Sequence, residues 1–369
     1  MKSFKLAIVV CLLAGSVFTF GPQASHAEED RGAVFVMTNA VSDNQVVAYS
    51  RHDDGSLQWV GAFPTGGNGS GGTIDPLHSQ GSLILSADHR LLFAVNAGSG
   101  TISSFAVDGS SLRLIDSTSS GGSSPTALTQ VGDLLYVLNS GGNGNVSGFR
   151  VTGSGRLVPI HESTTPLSGD ATSPTSLALS RNGRFLVVAE SATNNLDVFR
   201  VLPDGRLSRI SVDASAGTVP FALAFSPDGA LISANASNDI SSYWVGWNQS
   251  LTTISSEVPT LGMATCWDVV LPNRRLVYTS NAGSSTISGF TISRTGALNP
   301  IPSTVVASNP TGSTNLDIAA SGDEKYVYTL NAATGAIGIF AVESDGGISA
   351  LGAVDGLSAS SGLNGIAAY

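Results

Sequence analysis

Short apolar segments alternate with Gly- and Ser-rich turns along the chain, and one such pattern recurs seven times. Each copy contains an apolar strand that ends near Asn, as in the sequence LFAVN at residues 92–96. We call the last residue of each such strand the anchor. The seven anchors lie 43 to 57 residues apart, and they are Asn39, Asn96, Asn139, Glu190, Asn235, Asn281 and Asn331.

Three more strands are predicted around each anchor strand. An alternating strand with a central aromatic follows the anchor, for example at residues 101–105 and 286–290. A turn such as Asp204-Gly205 comes next, and because Asp-Gly favours the positive-φ geometry of a two-residue hairpin, a further antiparallel strand should follow. A short apolar strand, as at residues 175–179, precedes the anchor strand. Each copy is therefore predicted to be a four-stranded antiparallel meander.

Seven meanders of this length predict an all-β fold, a seven-bladed β-propeller with four-stranded antiparallel blades. The first copy lacks its leading strand, and residues 365–369 supply one with no strands after it. We therefore expect this C-terminal strand to close the ring beside residues 34–37. No linker interrupts the repeats, so residues 34–369 are predicted to form a single domain.

The first 27 residues have the features of an export signal. Two lysines precede an apolar run, and Ser25-His26-Ala27 stands before Glu28 as a cleavage site. Residues 28–33 would then be a short N-terminal tail. The sequence thus predicts a secreted protein, extracellular or, in a Gram-negative source, periplasmic.

The charge balance narrows the classes of partner. The chain has 17 basic and 27 acidic residues, for a formal net charge of -10. Nucleic acid and membrane are not expected as partners, because both require a basic surface. Cys11 lies in the signal, which leaves Cys266 alone and excludes an intramolecular disulfide. We expect a monomer that binds a small-molecule or carbohydrate ligand in its central funnel.

The anchors are predicted to line one rim of that funnel. Asn96, Asn139, Asn235, Asn281 and Asn331 either bind a polar ligand there or cap the following turn, since Asn tolerates left-handed backbone. Glu190 is the one carboxylate among the anchors. It is either a catalytic general acid or base with a raised pKa, or a solvated Glu paired with Arg200 or Arg206.

The starts of the inner strands and the Gly-rich insert at residues 65–80 add further candidates. Thr175 and Trp267 could contact a ligand, and the insert could bring Asp75, His78 and Gln80 over the mouth of the funnel. Trp267 could equally be a core residue, and Cys266 is expected to be a small buried hydrophobe. The histidines are scattered along the sequence, so no metal site is predicted from them. The Gly runs do not lie between a strand and a helix, so no cofactor is predicted. Calcium on Asn and Glu oxygens remains an open alternative.

The chain resembles the lactonase family of seven-bladed propellers, which includes 6-phosphogluconolactonases and carboxymuconate-lactonizing enzymes. The resemblance rests on residues 33–38, on DPLHSQGSL at residues 75–83 and on SPDG at residues 226–229. It is strongest to the exported, carboxymuconate cyclase-like branch. The resemblance implies the propeller fold and a lactone hydrolase or muconate cycloisomerase activity.

One motif of the family is changed in this chain. Catalytic members carry an Arg-His pair at the start of an inner strand, where this chain has Thr175-Ser176, and an Asn-Glu pair whose Asn position holds Glu190. The Arg matters because an anionic substrate needs a cation to hold it. Two hypotheses therefore stand: a lactonase-like or cycloisomerase-like enzyme that uses Glu190, and a non-catalytic extracellular binding or surface protein on the same scaffold.

Overall fold

The computed structural model describes residues 32–369, together with Met1. The rest of the predicted export signal, and residues 28–31 of the predicted tail, lie outside the described residues. In the described part of the chain every regular element is a β-strand, and the strands form seven antiparallel sheets. Both the all-β class and the seven-bladed propeller are confirmed.

The blades follow one another along the chain. Blade 1 contains β1 (Ala33–Met37), β2 (Gln45–Arg51) and β3 (Leu57–Pro64). Blade 2 contains β4 (Leu83–Leu85), β5 (Leu91–Asn96), β6 (Thr101–Asp108) and β7 (Ser111–Ser119). Blade 3 contains β8 (Pro125–Val131), β9 (Leu134–Asn139), β10 (Asn145–Val151), β11 (Leu157–Pro159) and β12 (Thr165–Pro166). Blade 4 contains β13 (Pro174–Leu179), β14 (Phe185–Glu190), β15 (Asn195–Arg200) and β16 (Ser211–Ala214). Blade 5 contains β17 (Pro220–Phe225), β18 (Leu231–Asn235), β19 (Asp239–Val245) and β20 (Leu251–Pro259). Blade 6 contains β21 (Thr265–Leu271), β22 (Leu276–Asn281), β23 (Thr286–Ile292) and β24 (Leu298–Ser308). Blade 7 contains β25 (Asn315–Ala320), β26 (Tyr326–Asn331), β27 (Ala336–Val342) and β28 (Ile348–Asp355).

The last strand, β29 (Ile366–Ala368), completes blade 1 from the other end of the chain. It pairs antiparallel with β1, with Phe35 opposite Ala367 and Val36 opposite Ile366. The predicted closure of the ring by the C-terminal strand is therefore confirmed.

An aromatic ring occupies the same position in the third strand of every blade. It is the fifth residue of the strand, it is at most 2% exposed, and it packs between neighbouring blades. The seven residues are Tyr49, Phe105, Phe149, Phe199, Tyr243, Phe290 and Phe340. Removing a buried aromatic side chain typically costs about 3–5 kcal/mol, so these rings contribute a large part of the stability of each blade.

A hydrogen bond also fastens each blade to the next, at the hairpin between the third and fourth strands. The acceptor is always a backbone carbonyl of that hairpin, and the donor is a side chain of the preceding blade. The donor–acceptor pairs are Tyr328–Gly55, Tyr369–Gly109, Ser104–Gly155, Tyr136–Gly205, Arg200–Trp247, Ser242–Gly296 and Tyr278–Gly346, at 2.6 to 3.3 Å. We call these seven contacts the hairpin latches.

The turn at Asp204-Gly205 differs in detail from the expectation, whereas Asp108 pairs with Ser111 across a two-residue loop. At Asp204-Gly205 only the glycine has a positive φ, 88°, and the Leu202 N–H donates to the Arg206 carbonyl. The turn is therefore one step longer than the predicted two-residue hairpin, and it ends in a glycine bulge whose twist also matches the flanking strands. A glycine is required there because an added Cβ would lie 2.7 Å from Ile160 of the preceding blade.

We expect deletion of residues 365–369 to lower Tm by about 10 °C or more, because the deletion leaves β1 as an open edge and uncovers the core around Ile366. Ile366 is 4% exposed. Calorimetry checks this, with Leu351→Ala on the outer strand β28 as the control, since Leu351 is 51% exposed. Equal melting curves for the full chain and the truncated chain would contradict the closure mechanism.

Candidate functional site

The inner strands surround a central channel along the propeller axis. Two cavities of about 270 and 250 Å³ lie along it and share Gln80, Gly81, Ile84 and Leu85. Blades 2 to 5 line the first cavity, and blades 2, 6 and 7 with β29 line the second. Both extend from Gln80 toward the far ends of the inner strands.

The backbone is strained where the inner strands begin. A residue with left-handed φ stands one or two positions before each of them, and two of these residues are β-branched, where that conformation costs on the order of 1–3 kcal/mol. The seven residues are Gly81, Ser124, Ser173, Val219, Ala264, Thr314 and Gly365, with φ between 48° and 88°. Strain of this kind is concentrated at functional sites, so this end of the channel is the candidate site.

The Gly-rich insert covers that end. The Ser79 hydroxyl donates to the Thr126 carbonyl at 2.8 Å, and the Gln80 N–H donates to the Thr175 carbonyl at 3.0 Å. The Trp267 indole N–H donates to the Ser79 carbonyl at 3.0 Å. One short segment thus contacts blades 3, 4 and 6, which means that it crosses the axis and closes the channel at this end.

Asp268 lies directly beneath the insert, on the inner strand of blade 6. The Gln80 side chain donates to its Oδ1 at 2.9 Å and accepts from its backbone N–H at 2.8 Å. Asp268 is 4% exposed and lines the second cavity, and its Oδ2 has no hydrogen-bond partner among residues 32–369. Burial raises the pKa of this carboxyl group to about 7.

Two more carboxyl groups lie close to Asp268. Asp317, on the next inner strand, accepts hydrogen bonds from the Ile318 and Ile366 N–H groups at 2.9 and 3.3 Å. Asp75 of the insert accepts one from the Asn364 amide at 3.1 Å. Burial raises the pKa of each to about 7, and the charges of Asp75 and Asp268 add to the effect at Asp317. Groups that titrate near neutral pH are suited to proton transfer.

Acidic side chains are the only charged groups in the described lining of the two cavities, which contains no Arg, Lys or His. The basic residues Arg184, Arg274, Arg275 and Lys325 lie in hairpins at the opposite end of the inner strands. In the part of the chain that the structure describes, no three His, Cys, Asp or Glu side chains are arranged to hold a metal ion. The channel therefore favours an uncharged ligand over an anionic one.

The anchor amides are inside the blades, which corrects their predicted location on the funnel rim. All six are at most 1% exposed. In four blades the anchor amide donates to a Ser in the third strand, and the pairs are Asn96–Ser103, Asn139–Ser147, Asn235–Ser241 and Asn281–Ser288, at 2.8 to 3.5 Å. Asn331 donates instead to Asn309 at 2.9 Å. A ligand-binding role for these residues stays a prediction.

Glu190, the predicted catalytic residue, is also completely buried. It accepts hydrogen bonds from the Ser168 hydroxyl at 2.6 Å, from the Ser168 N–H at 3.2 Å and from the Thr193 hydroxyl at 2.7 Å. The arginines expected as its alternative partners bond elsewhere, because Arg206 pairs with Asp204 and Arg200 donates to the Trp247 carbonyl. Glu190 lines neither cavity of the channel.

Blade 4 replaces the repeated Asn–Ser pair with Glu190 and Asp197. Both side chains are acceptors when ionised, and both are 0% exposed. Burial, together with the neighbouring Glu190, raises the pKa of Asp197 to about 9. Asp197 Oδ1 has no donor among the described residues, as expected if Asp197 keeps a proton that it donates to Glu190. With its pKa raised in this way, Asp197 can keep a proton at neutral pH and donate it in a hydrogen bond to Glu190.

The remaining predicted residues lie at the covered end of the channel. Thr175 is buried and donates to the Phe221 carbonyl at 2.7 Å, and Trp267 is 1% exposed. The His78 side chain is 53% exposed, lies edge-on to Phe221 and is 3.8 Å from Asp75. Ligand binding by Thr175, Trp267 and His78 stays a prediction. Burial raises the pKa of Cys266 to about 12, which makes it an inert thiol.

The fold and the channel define this chain as a seven-bladed propeller with a closed, acid-lined central site. Residues 143–269 match the family described as "Lactonase, 7-bladed beta-propeller". The resemblance to the lactonase family is thereby confirmed. No curated protein sequence matches the chain.

Solved structures share the fold over nearly the whole chain. A Bacteroides fragilis protein, named as a candidate 6-phosphogluconolactonase, has a TM-score of 0.72 at 17% identity and covers 93% of this chain and 98% of its own. The periplasmic gluconolactonase PpgL of Pseudomonas aeruginosa has a TM-score of 0.68 at 18% identity, with 90% and 98% covered. A Lactobacillus plantarum protein has a TM-score of 0.70 at 19% identity, with 91% and 98% covered. At these identities the likeness shows the fold alone.

Sequence reasoning missed Asp317 and did not assign a role to Asp268. Both were visible as single charges inside otherwise apolar inner strands, at TCWDVVL and NLDIAA. Asp197 was missed as well, although it is the third residue of its strand, where four other blades have Ser.

The raised pKa values predict that the protein is less stable at alkaline pH. Unfolded Asp titrates near pH 4, so above that pH the folded state keeps protons that the unfolded state releases. The free energy of unfolding should therefore fall as pH rises from about 4 to about 7 for Asp75, Asp268 and Asp317, and to about 9 for Asp197. We expect a higher Tm at pH 5 than at pH 8.

Asp197→Asn should raise Tm at pH 8 by on the order of 2 °C and change it little at pH 4, because the amide donates to Glu190 without titrating. Thermal melts at both pH values check this, with the exposed Asp355→Asn as the control. A lower Tm at pH 8 for Asp197→Asn would show that the proton on Asp197 does not destabilise the folded state at that pH.

Proposed function

We propose that this chain hydrolyses a small, uncharged lactone in the central channel, with Asp268 as the general base. The observation that carries the proposal is the state of Asp268: Gln80 holds one carboxylate oxygen, and the other has no partner among the described residues and belongs to a wall of the second cavity. A positioned carboxylate with a pKa of about 7 can activate water at neutral pH.

Each group in the reaction has a defined task. Asp268 takes a proton from water as the water oxygen attacks the lactone carbonyl carbon. The ring C–O bond then breaks, and the ring oxygen takes a proton from Asp317, whose pKa of about 7 leaves part of the population protonated. The product is the open hydroxy acid, and the proton that Asp268 took from water passes through solvent to Asp317, which restores the starting state of both groups. One water is consumed and no other reactant is needed.

The charge of the channel selects the class of lactone. A phosphorylated lactone or a muconate would place its anionic group beside the two buried carboxyl groups of the second cavity, Asp268 and Asp317, with no cation in the described lining to offset them. The replacement of the family's Arg-His pair by Thr175-Ser176 agrees with this restriction. A neutral aldonolactone avoids the penalty, and the similar fold of a periplasmic gluconolactonase supports such a substrate.

We also propose that the protein acts outside the cytoplasm. The export signal predicted at residues 1–27 and the periplasmic location named for the Pseudomonas aeruginosa protein support this location. No helix in residues 32–369 has the length and apolar character of a membrane span.

The second candidate function is non-catalytic binding on the same scaffold. It is favoured by the burial of Glu190 inside blade 4, which removes the predicted catalytic residue from the channel surface. In this case the channel would bind a polar small molecule without turning it over. The experiment below separates the two functions.

The test measures hydrolysis of glucono-δ-lactone, 6-phosphogluconolactone and muconolactone above the spontaneous rate. We expect turnover of the neutral lactone, a loss of about 100-fold or more in kcat for Asp268→Asn, and wild-type turnover for Glu190→Gln. The kcat of the wild type should pass through a maximum near pH 7, because Asp268 must be deprotonated and Asp317 must be protonated.

Asp355→Asn, on the exposed outer strand, is the matched control for removing one acid. Turnover that survives Asp268→Asn but disappears in Glu190→Gln would overturn the assignment and restore the residue predicted from the sequence. No turnover of any lactone, with binding of gluconolactone detected by calorimetry, would support the non-catalytic function.

A further inference from the structure

A second cleft lies away from the channel, where blades 1 and 7 meet. It has a volume of about 440 Å³, within the range of small-molecule sites. One wall is a face of blade 1 with Gln45, Val47 and Tyr49 on β2 and Trp59 on β3. The other wall is the segment after β28, which includes Leu357 and Ser361 and leads to the closing strand β29.

The indole of Trp59 forms an exposed wall of this cleft. Trp59 is 62% exposed, although it lies opposite Tyr49 in the β2–β3 ladder, so the two aromatic rings stand on the same face of the sheet. A flat apolar surface left in water beside polar groups is the arrangement by which Trp and Tyr contact amphipathic ligands.

The hydroxyl of Tyr49 supplies a second, independent observation. Tyr49 is 2% exposed and lines the cleft, yet no residue in 32–369 forms a hydrogen bond with its hydroxyl group. Five of its six counterparts in the other blades are Phe, and the sixth, Tyr243, accepts a hydrogen bond from the Ala216 N–H at 2.8 Å. A hydroxyl group kept at this position without a protein partner is available to a ligand.

The polar groups of the cleft are uncharged except for one carboxylate. Gln45 donates to Asp43 at 2.8 Å, and both residues line the cleft with Thr38 and Ser358. No Arg, Lys or His belongs to its described lining. The cleft therefore offers hydrogen-bond donors and acceptors beside an aromatic face, and it lacks the cation that an anionic ligand requires.

We propose that this cleft binds a neutral carbohydrate about the size of a disaccharide. One pyranose ring packs its C–H face on the Trp59 indole, and its hydroxyl groups bond to Tyr49, Gln45 and Asp43. The site is separate from the central channel and does not depend on the channel's chemistry.

The test is a titration of the whole protein with cellobiose, N,N′-diacetylchitobiose, maltose and lactose, followed by saturation-transfer NMR and calorimetry. We expect at least one disaccharide to bind with Kd on the order of 1 mM. Trp59→Ala should weaken that binding by about 10-fold or more, and Tyr49→Phe, which removes only the hydroxyl group, by roughly 3-fold to 10-fold.

Trp247→Ala is the matched control, because Trp247 is an equally exposed Trp at 70%, located on blade 5 outside the cleft. It should bind the disaccharide like the wild type, as should Asp268→Asn. Failure of all four disaccharides to bind, or an equal loss of binding in Trp59→Ala and Trp247→Ala, would overturn the proposal. Circular dichroism shows whether each variant is folded. If Trp59→Ala does not fold, the result for Tyr49→Phe decides the test.

Discussion

The hairpin latches and the pairing of β29 with β1 hold seven separate sheets in one ring, and every other feature of the molecule depends on that ring. Each of the third-strand aromatic rings belongs to a buried cluster that joins its blade to a neighbouring blade, so one open junction would expose apolar surface on two blades. The channel depends on the same closure, because Gln80 comes from the insert before blade 2, Asp268 from blade 6 and Asp317 from blade 7, and Asp317 in turn receives a hydrogen bond from Ile366 of the closing strand. The candidate site is thus a product of ring closure rather than of any single blade.

The covered end of the channel combines backbone strain with buried acids, and both reduce the stability of the fold. The ring has to offset this cost through its inter-blade contacts. The Gly-rich insert affects the ionisation of Asp268, because the Gln80 amide is a neutral hydrogen-bond partner rather than a cation. A neutral partner leaves the pKa of the carboxyl group near 7, where a cation would have lowered it and removed its ability to exchange protons under neutral conditions.

The propeller fold could be predicted from the sequence because its strands are local, and Asp-Gly turns and anchors mark each repeat. The candidate site could not be predicted from the sequence, because it depends on how deeply each side chain is buried and on partners that are far apart in the chain. Strand order shows at which end of a strand Asn96 lies, but it does not show that neighbouring loops bury it. Asp268 and Gln80 are 188 residues apart, so no local pattern connects them. Trp59 could not be singled out either, since an exposed Trp and a buried one occupy the same alternating pattern.

Blade 4 shows what a repeated architecture permits at one internal position. In blade 4 both partners of the Asn–Ser contact are replaced by buried acids, and Glu190 helps to raise the pKa of Asp197. The two positions are therefore energetically coupled, and a single substitution at either one is a poor measure of what that residue contributes. Anyone who recombines blades between related propellers would have to move β14 and β15 together, as one inseparable unit.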